Sequence, residues 1–357
     1  RSNAMSDVYE RLRQRLDDLA TGFPETEQKI ELRLLGRLFT EDEAEFFLQM
    51  SPMLETPSQV AGRLNRPEAE VAQQMEAMAK KGLLFRLRRP DAVKYAAIPY
   101  VVGIFEFQLP RIDAEVARDM EEYYQLAFGQ TIQANKTPVM RTVPVNRELV
   151  SKWPVAPYDD VLDILEQQKT IALAECICRK TARLNGRGCD KPLETCMLFG
   201  SHADYYVENG MGRYITVEEA KAVAKRSQEA GLVMQPFNSQ KVGGMCSCCG
   251  DCCGVLRSLK LQPKPAEAVQ SNYFAVVDED LCTGCGTCVD RCQMEAVAVP
   301  EEVALVDLDR CIGCGLCVTT CPTEAMRLER KAEEALYVPP KSGMETYINI
   351  AIERGKL

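Results

Sequence analysis

Residues 275–292 read Ala-Val-Val-Asp-Glu-Asp-Leu-Cys-Thr-Gly-Cys-Gly-Thr-Cys-Val-Asp-Arg-Cys, and residues 304–321 read Ala-Leu-Val-Asp-Leu-Asp-Arg-Cys-Ile-Gly-Cys-Gly-Leu-Cys-Val-Thr-Thr-Cys. Each copy spaces its cysteines as C-x2-C-x2-C-x3-C, at Cys282, Cys285, Cys288 and Cys292 and again at Cys311, Cys314, Cys317 and Cys321. Three thiolates on one tight loop reach three irons of a cubane, and Gly284, Gly286, Gly313 and Gly315 let the backbone fold close around it. The fourth cysteine of each run opens the following helix and reaches the other cubane. The repeat therefore predicts two [4Fe-4S] clusters. One rests on Cys282, Cys285, Cys288 and Cys321, the other on Cys311, Cys314, Cys317 and Cys292.

This stretch resembles the bacterial dicluster ferredoxins from about Asn272 to Arg330. The resemblance implies single-electron transfer and a redox partner protein. Acids outnumber bases over the same residues, so a basic docking face on that partner is expected. One departure is visible: the proline after the fourth cysteine is present as Pro322 but is Gln293 in the first copy. A zinc ribbon would instead use paired C-x2-C knuckles.

The repeat is a small part of 357 residues and 39.9 kDa, which is enough for two or three cores. Apolar residues at 46% and charged residues at 27% exclude long disorder. A net charge of -9 and a pI near 5.1 disfavour a general polyanion binder. The best apolar run, Tyr95 to Phe107, is short and holds Pro99 and Glu106, so no membrane span is expected. Arg1-Ser2-Asn3-Ala4 ahead of Met5 reads as a vector-derived remnant, with no signal-peptide pattern behind it. Seventeen bunched cysteines favour metal over disulfides and predict a cytoplasmic protein of an organism living with little oxygen.

Nine cysteines lie outside the repeat. Cys176, Cys178, Cys189 and Cys196 predict a third metal site, with [4Fe-4S] ahead of zinc, and Cys196 is read as part of an apolar helix. Arg179, Lys180 and Arg183 would stabilise thiolates there. Cys246, Cys248, Cys249, Cys252 and Cys253 form a denser run. Neighbours such as Cys248 and Cys249 rarely face one centre, so a cluster would draw one from each adjacent pair. Three readings stay open: a fourth metal site, a reactive dithiol near the third site, or ligands lent to it. The two Cys-Cys-Gly triplets resemble the heterodisulfide reductase motif, but the downstream C-x-x-C is Cys282 to Cys285, already used by the repeat. His202 is read as a packing or surface histidine. The Gly-Cys-Gly runs mimic half of a phosphate loop, so no flavin, nicotinamide or ATP site is expected, and no residue identifies a catalytic step.

The expected fold is multidomain α+β and mostly helical. Residues 1–25 hold the remnant and an amphipathic helix. Residues 26–110 resemble a winged helix-turn-helix, with Thr56-Pro57 opening one helix, Pro67 a second, and a hairpin across Arg89-Pro90-Asp91. Residues 111–160, with the lone Trp153, are read as a helical, proline-rich connector that wraps the surface. Residues 161–265 form a Cys-rich helical region containing the capping box Thr216-Val-Glu-Glu219. Residues 270–332 form a small ferredoxin-like βαβ-type region, and 333–357 a tail. Glu68 and Glu70 at the start of the recognition helix would repel phosphates, which disfavours DNA, although Arg86, Arg88, Arg89 and Lys94 make the wing basic. The helices are expected instead to dock a protein or pair a homodimer. The leading functional reading is an iron-sulfur electron-transfer protein or oxidoreductase component, feeding electrons to a middle cysteine site and a small-molecule substrate. A redox-responsive DNA regulator and a cluster-delivery protein are the alternatives.

Overall fold

The helix-spaced Val8, Leu12 and Leu16 lie on the buried side of the helix Ser6–Asp18 in the computed structural model of the chain, which describes residues 6–150 and 154–357. The leading residues 1–4 and Trp153 lie outside the described residues. Thr56 caps the helix Pro57–Leu64 through a reciprocal box with Gln59, and Pro67 precedes Glu68–Lys80. The hairpin follows as Phe85–Arg88 and Val93–Ala96, in register Phe85 to Ala96 and Arg88 to Val93.

The hairpin is anchored to the middle of its own chain. Arg86, 3% exposed, donates to Glu76 at 2.9 Å and to Glu208 at 2.6 Å. Arg88 bonds the same two carboxylates, each at 2.9 Å. The Tyr205 hydroxyl sits 2.8 Å from the Ala79 carbonyl and 2.9 Å from that of Leu84. Two of the four basic wing residues are thus neutralised by carboxylates, and the helix Ser201–Glu208 covers this side of the hairpin.

The expectation of a helical middle region is corrected. Its centre is a five-stranded antiparallel sheet in the order Gly212–Ile215, Ile171–Glu175, Glu194–Phe199, Gly244–Cys248, Val233–Pro236. These strands are hard to read because the inner ones are covered on both faces, so their residues do not alternate between apolar and polar. Ala172, Ala174 and Leu198 pack toward the N-terminal helices, while Leu173, Met197 and Phe199 pack the other way. Cys196 lies on a strand, not on a helix. Helix Val217–Glu229 begins at the expected capping box of Thr216 and Glu219.

The connector is also corrected, because it runs through the interior. Val143 donates to Met234 O at 3.2 Å and Val145 to Cys314 O at 3.0 Å. Arg141, 1% exposed, pairs with Asp159 at 2.6 Å, and Asn272 donates to the other Asp159 oxygen at 2.7 Å. Burial pulls the Arg141 pKa down and pushes that of Asp159 up, so each charge depends on the other.

In the C-terminal repeat each copy runs strand, helical turn, strand. The outer strands Tyr273–Val277 and Met326–Arg330 pair antiparallel, as do Val297–Ala298 and Leu305–Val306. The tail helix Gly343–Glu353 returns to the N-terminus, where Arg354 pairs with Asp17 at 2.8 Å and Lys356 with Asp18 at 2.8 Å. Among the described residues no helix is long and apolar enough to cross a membrane.

Replacing Arg86 with Met removes the buried cation between Glu76 and Glu208 and leaves both to the more exposed Arg88. We expect a loss of roughly 2 kcal/mol in urea unfolding under anaerobic conditions. An unchanged unfolding midpoint would show that the anchor contributes nothing.

Candidate functional site

The two C-x2-C-x2-C loops wrap two small cavities. Cys282, Cys285, Cys288 and Cys321 line the first, and Cys311, Cys314, Cys317 and Cys292 line the second. The fourth cysteine of each run therefore lies with the other run's three. The loops fit a cubane in their backbone as well. A side chain at Gly313, where φ is 65°, would stand 2.0 Å from the Tyr273 carbonyl, so only glycine admits this close wrap. Backbone N–H groups of Ala275, Ala296 and Ala304 point at the sulfurs of Cys311, Cys292 and Cys282, at 3.4, 3.2 and 3.3 Å. Such donors stabilise thiolate charge.

The nine middle cysteines regroup. Cys176, Cys178, Cys196, Cys246, Cys248 and Cys253 all line one cavity, and electrostatic interactions run from Cys176 to Cys178, Cys253, Cys248, Cys246 and Cys196 in turn. Cys246 and Cys248 are two apart on one strand and so share a face of the sheet. Cys196 lies on the adjacent strand, one residue before the pair Met197 to Met245. Cys178 is in the first turn of the helix Ile177–Leu184, and Cys253 precedes the helix Gly254–Lys260.

Cys189 is not part of this group. Its sulfur lies 3.7 Å from Cys249 and 3.7 Å from Cys252, a separate trio. Grouping by proximity in sequence is thus corrected. Each adjacent pair, Cys248-Cys249 and Cys252-Cys253, splits between the two groups because neighbouring side chains diverge. Hydrogen bonding holds the thiol of Cys253 down at about 5 through Cys178, and that of Cys249 at about 4 through Cys252.

Arg179 lies between the groups. Its side chain is fully buried, with Nη1 donating to Ser247 O at 3.0 Å and reaching Cys249 Sγ at 3.9 Å, and Nη2 bonding Thr195. Burial opposes its charge, yet the neighbouring sulfurs of Cys176, Cys249 and Cys248 outweigh that and hold its pKa above the ordinary value; of the three, only Cys249 has its own thiol pKa pulled down. Lys180 and Arg183 do other work. Lys180 pairs with Glu175 at 2.9 Å, and Arg183 binds the carbonyls of Cys189 and Lys191 at 3.0 and 2.9 Å.

Beside the six-cysteine group opens a cavity of about 100 Å³, against about 10 and about 20 Å³ at the two repeat loops. Tyr100, Phe105, Tyr124, Phe128 and Phe237 form its apolar side. Glu106 also lines it, accepting from Gly103 N at 2.7 Å, and burial pushes its pKa up to about 8. The sequence gives no sign of this wall, because it comes from the hairpin's exit and the connector.

The middle region meets the repeat through hydrogen bonds and a shared core. The Gln293 side chain, at the position where the ferredoxin pattern carries proline, accepts from Gly250 N at 2.8 Å. A Cβ at Gly250 would stand 2.5 Å from the Gln293 carbonyl. One apolar core joins Leu173 and Met245 of the sheet to Met294, Ile312 and Leu316 of the repeat. His202 packs against Phe85 and Phe237, away from the cysteine groups' hydrogen bonds.

Residues 275–328 match the family model of the 4Fe-4S dicluster domain. The chain therefore carries a C-terminal ferredoxin-type domain with [4Fe-4S] cofactors, of the kind that passes electrons to redox partners. No curated protein matches the chain.

Two outcomes are expected. Replacing Arg179 with Leu leaves the Cys249 thiolate without its cation, so the chain is expected to lose stability in anaerobic urea unfolding, while Arg179→Lys retains most of it. An unchanged midpoint in the Leu variant would sink this role. Burial also pushes the His202 pKa down to about 4. The unfolded chain, with its ordinary value near 6.5, takes up the proton first, so stability drops as pH falls from about 6.5 toward about 4. Against His202→Gln, the native protein is expected to lose on the order of 1 kcal/mol between pH 7 and pH 5 in urea melts. Parallel pH profiles would contradict this.

Proposed function

We propose that this chain is an iron-sulfur electron-transfer protein, or the iron-sulfur component of an oxidoreductase, in which the C-terminal domain exchanges single electrons with a redox group on the six middle cysteines. In this reading Cys282, Cys285, Cys288 and Cys321 hold one [4Fe-4S] cluster, and Cys311, Cys314, Cys317 and Cys292 hold the other. Bound clusters supply single-electron storage and release. Cys176, Cys178, Cys196, Cys246, Cys248 and Cys253 hold the further metal group, beside a chamber that admits a small-molecule substrate or the end of a partner.

The observation that carries this reading is the Gln293 contact. Gln293 follows Cys292 in sequence, and its amide oxygen takes the Gly250 N–H of the loop that presents Cys248 and Cys253. The departure from the ferredoxin pattern thus falls at the point where the two cysteine systems touch. Proline there would lack the amide, and the loop would lose its register on the domain.

The chamber's residues suit reduction. Its aromatic wall excludes water, and the Glu106 carboxyl keeps a proton at neutral pH because of its burial. The winged-helix-like segment serves here as wall and brace. Its Arg86 and Arg88 are held by Glu76 and Glu208 and do not present themselves to phosphates.

Iron and acid-labile sulfide per anaerobically purified chain provide the test. The reading expects clearly more than the about eight irons of two clusters, with the excess lost in Cys248→Ser and Cys253→Ser. About eight irons in the wild type would refute it. Gln293→Pro is expected to keep the iron and to slow electron exchange between the domain and the middle group at least tenfold in stopped-flow oxidation.

A further inference from the structure

The trio Cys189, Cys249 and Cys252 differs in kind from the other cysteine sets. We propose that these three thiolates form a mononuclear site for one borderline-soft divalent cation of the zinc type, separate from the iron-sulfur groups, with its fourth coordination position left to an exogenous ligand.

Spacing is the first argument. Zinc holds thiolates at about 2.3 Å in a tetrahedron, which sets their sulfurs about 3.8 Å apart. The Cys189 sulfur stands 3.7 Å from each of the other two. A cubane gives each thiolate its own iron at a separate corner, so its ligands stand further apart. The same chain provides the contrast. The trio is the one set of three or more metal-ligating groups so close among the described residues, and none of the eight repeat cysteines belongs to such a set. Among the described residues no fourth His, Cys, Asp or Glu ligand atom joins the trio at that spacing, which leaves one corner of the tetrahedron open.

Charge and surroundings agree. Three thiolates around a divalent cation carry one net negative charge, and buried Arg179 lies against Cys249 to balance it. Cys249 and Cys252 are buried against Ala182 and Leu232, while the partly exposed Cys189 gives an outside ligand its approach. Arg183 fixes the chain at Cys189 through that residue's carbonyl. All-sulfur donors of this softness select zinc-like cations over magnesium or calcium. Cys249-Gly-Asp-Cys252 is also the loop that Gln293 touches, and its flanking residues Cys248 and Cys253 belong to the six-cysteine group. A metal here would clamp the loop that presents them.

Cobalt(II) is the probe, added anaerobically to full-length, iron-loaded protein stripped of zinc. One equivalent should bind, with thiolate charge-transfer and tetrahedral d–d bands, and imidazole should shift the d–d bands. Cys189→Ser should abolish the bands while iron and sulfide stay at the wild-type level, because Cys189 belongs to the trio alone. Cys189→His, a permitted zinc ligand, should restore binding with an altered spectrum. Failure of wild type to bind cobalt or zinc would overturn the proposal, as would a Cys249–Cys252 disulfide that persists in reductant-treated protein. Loss of a cluster's worth of iron in Cys189→Ser would overturn it by making Cys189 a cluster ligand. Bands that imidazole leaves unshifted would overturn the open position. Should Cys189→Ser not fold, the wild-type titration decides. Iron content reports separately on the six-cysteine group, so the two readings can fail independently.

Discussion

A guanidinium buried to zero exposure at Arg179, among cysteines and without a carboxylate at ion-pair distance among the described residues, sets the terms for the centre of this molecule. An isolated buried charge costs several kcal/mol, so its counter-charge must be close by. The group able to provide it is the Cys249 thiolate, whose pKa is pulled down to about 4, with the sulfurs of Cys176 and Cys248, members of the other cysteine set, close by. One cation therefore lies against sulfurs of both sets. The strand Gly244–Cys248 carries the Arg179-bound Ser247 carbonyl between Cys246 and Cys248.

Around that centre the chain is joined by contacts rather than strung as beads. The connector passes beneath the ferredoxin-type domain and bonds the carbonyl of Cys314, and the tail helix closes back on the first helix through Asp17 and Asp18. The N-terminal hairpin, which in isolation looks like a nucleic-acid wing, has its Arg86 buried against Glu76 and Glu208. Its aromatic exit segment instead builds one wall of the chamber beside the six cysteines. Two carboxylates and a tyrosine hydroxyl hold this segment to the middle of the chain.

The nine middle cysteines show how far a pattern carries. Their number and bunching point to metal, and the expectation that adjacent cysteines face different centres agrees with the divergence of Cys248 from Cys249 and of Cys252 from Cys253. Their partnerships could not be read, because Cys189 meets Cys249 and Cys252 only through folding across about sixty residues. Cys196 was expected on a helix because Met197, Leu198 and Phe199 form an unbroken apolar run, and a strand buried on both faces looks the same in sequence. Gln293 was visible as a departure from the ferredoxin pattern, but its contact with Gly250 was not.

By itself the sequence determined the ferredoxin-type domain, because cubane ligation depends on cysteine and glycine spacings of a few residues that local backbone geometry enforces. It determined in the same way the helix starts at Thr56 and Thr216, where a side chain bonds backbone three residues on. Only the tertiary structure decided which of the remaining cysteines lie together, what surrounds Arg179, and that the connector is interior. Those outcomes depend on strand register and on the desolvation of charges brought together from distant parts of the chain, and neither leaves a periodic trace in the order of residues.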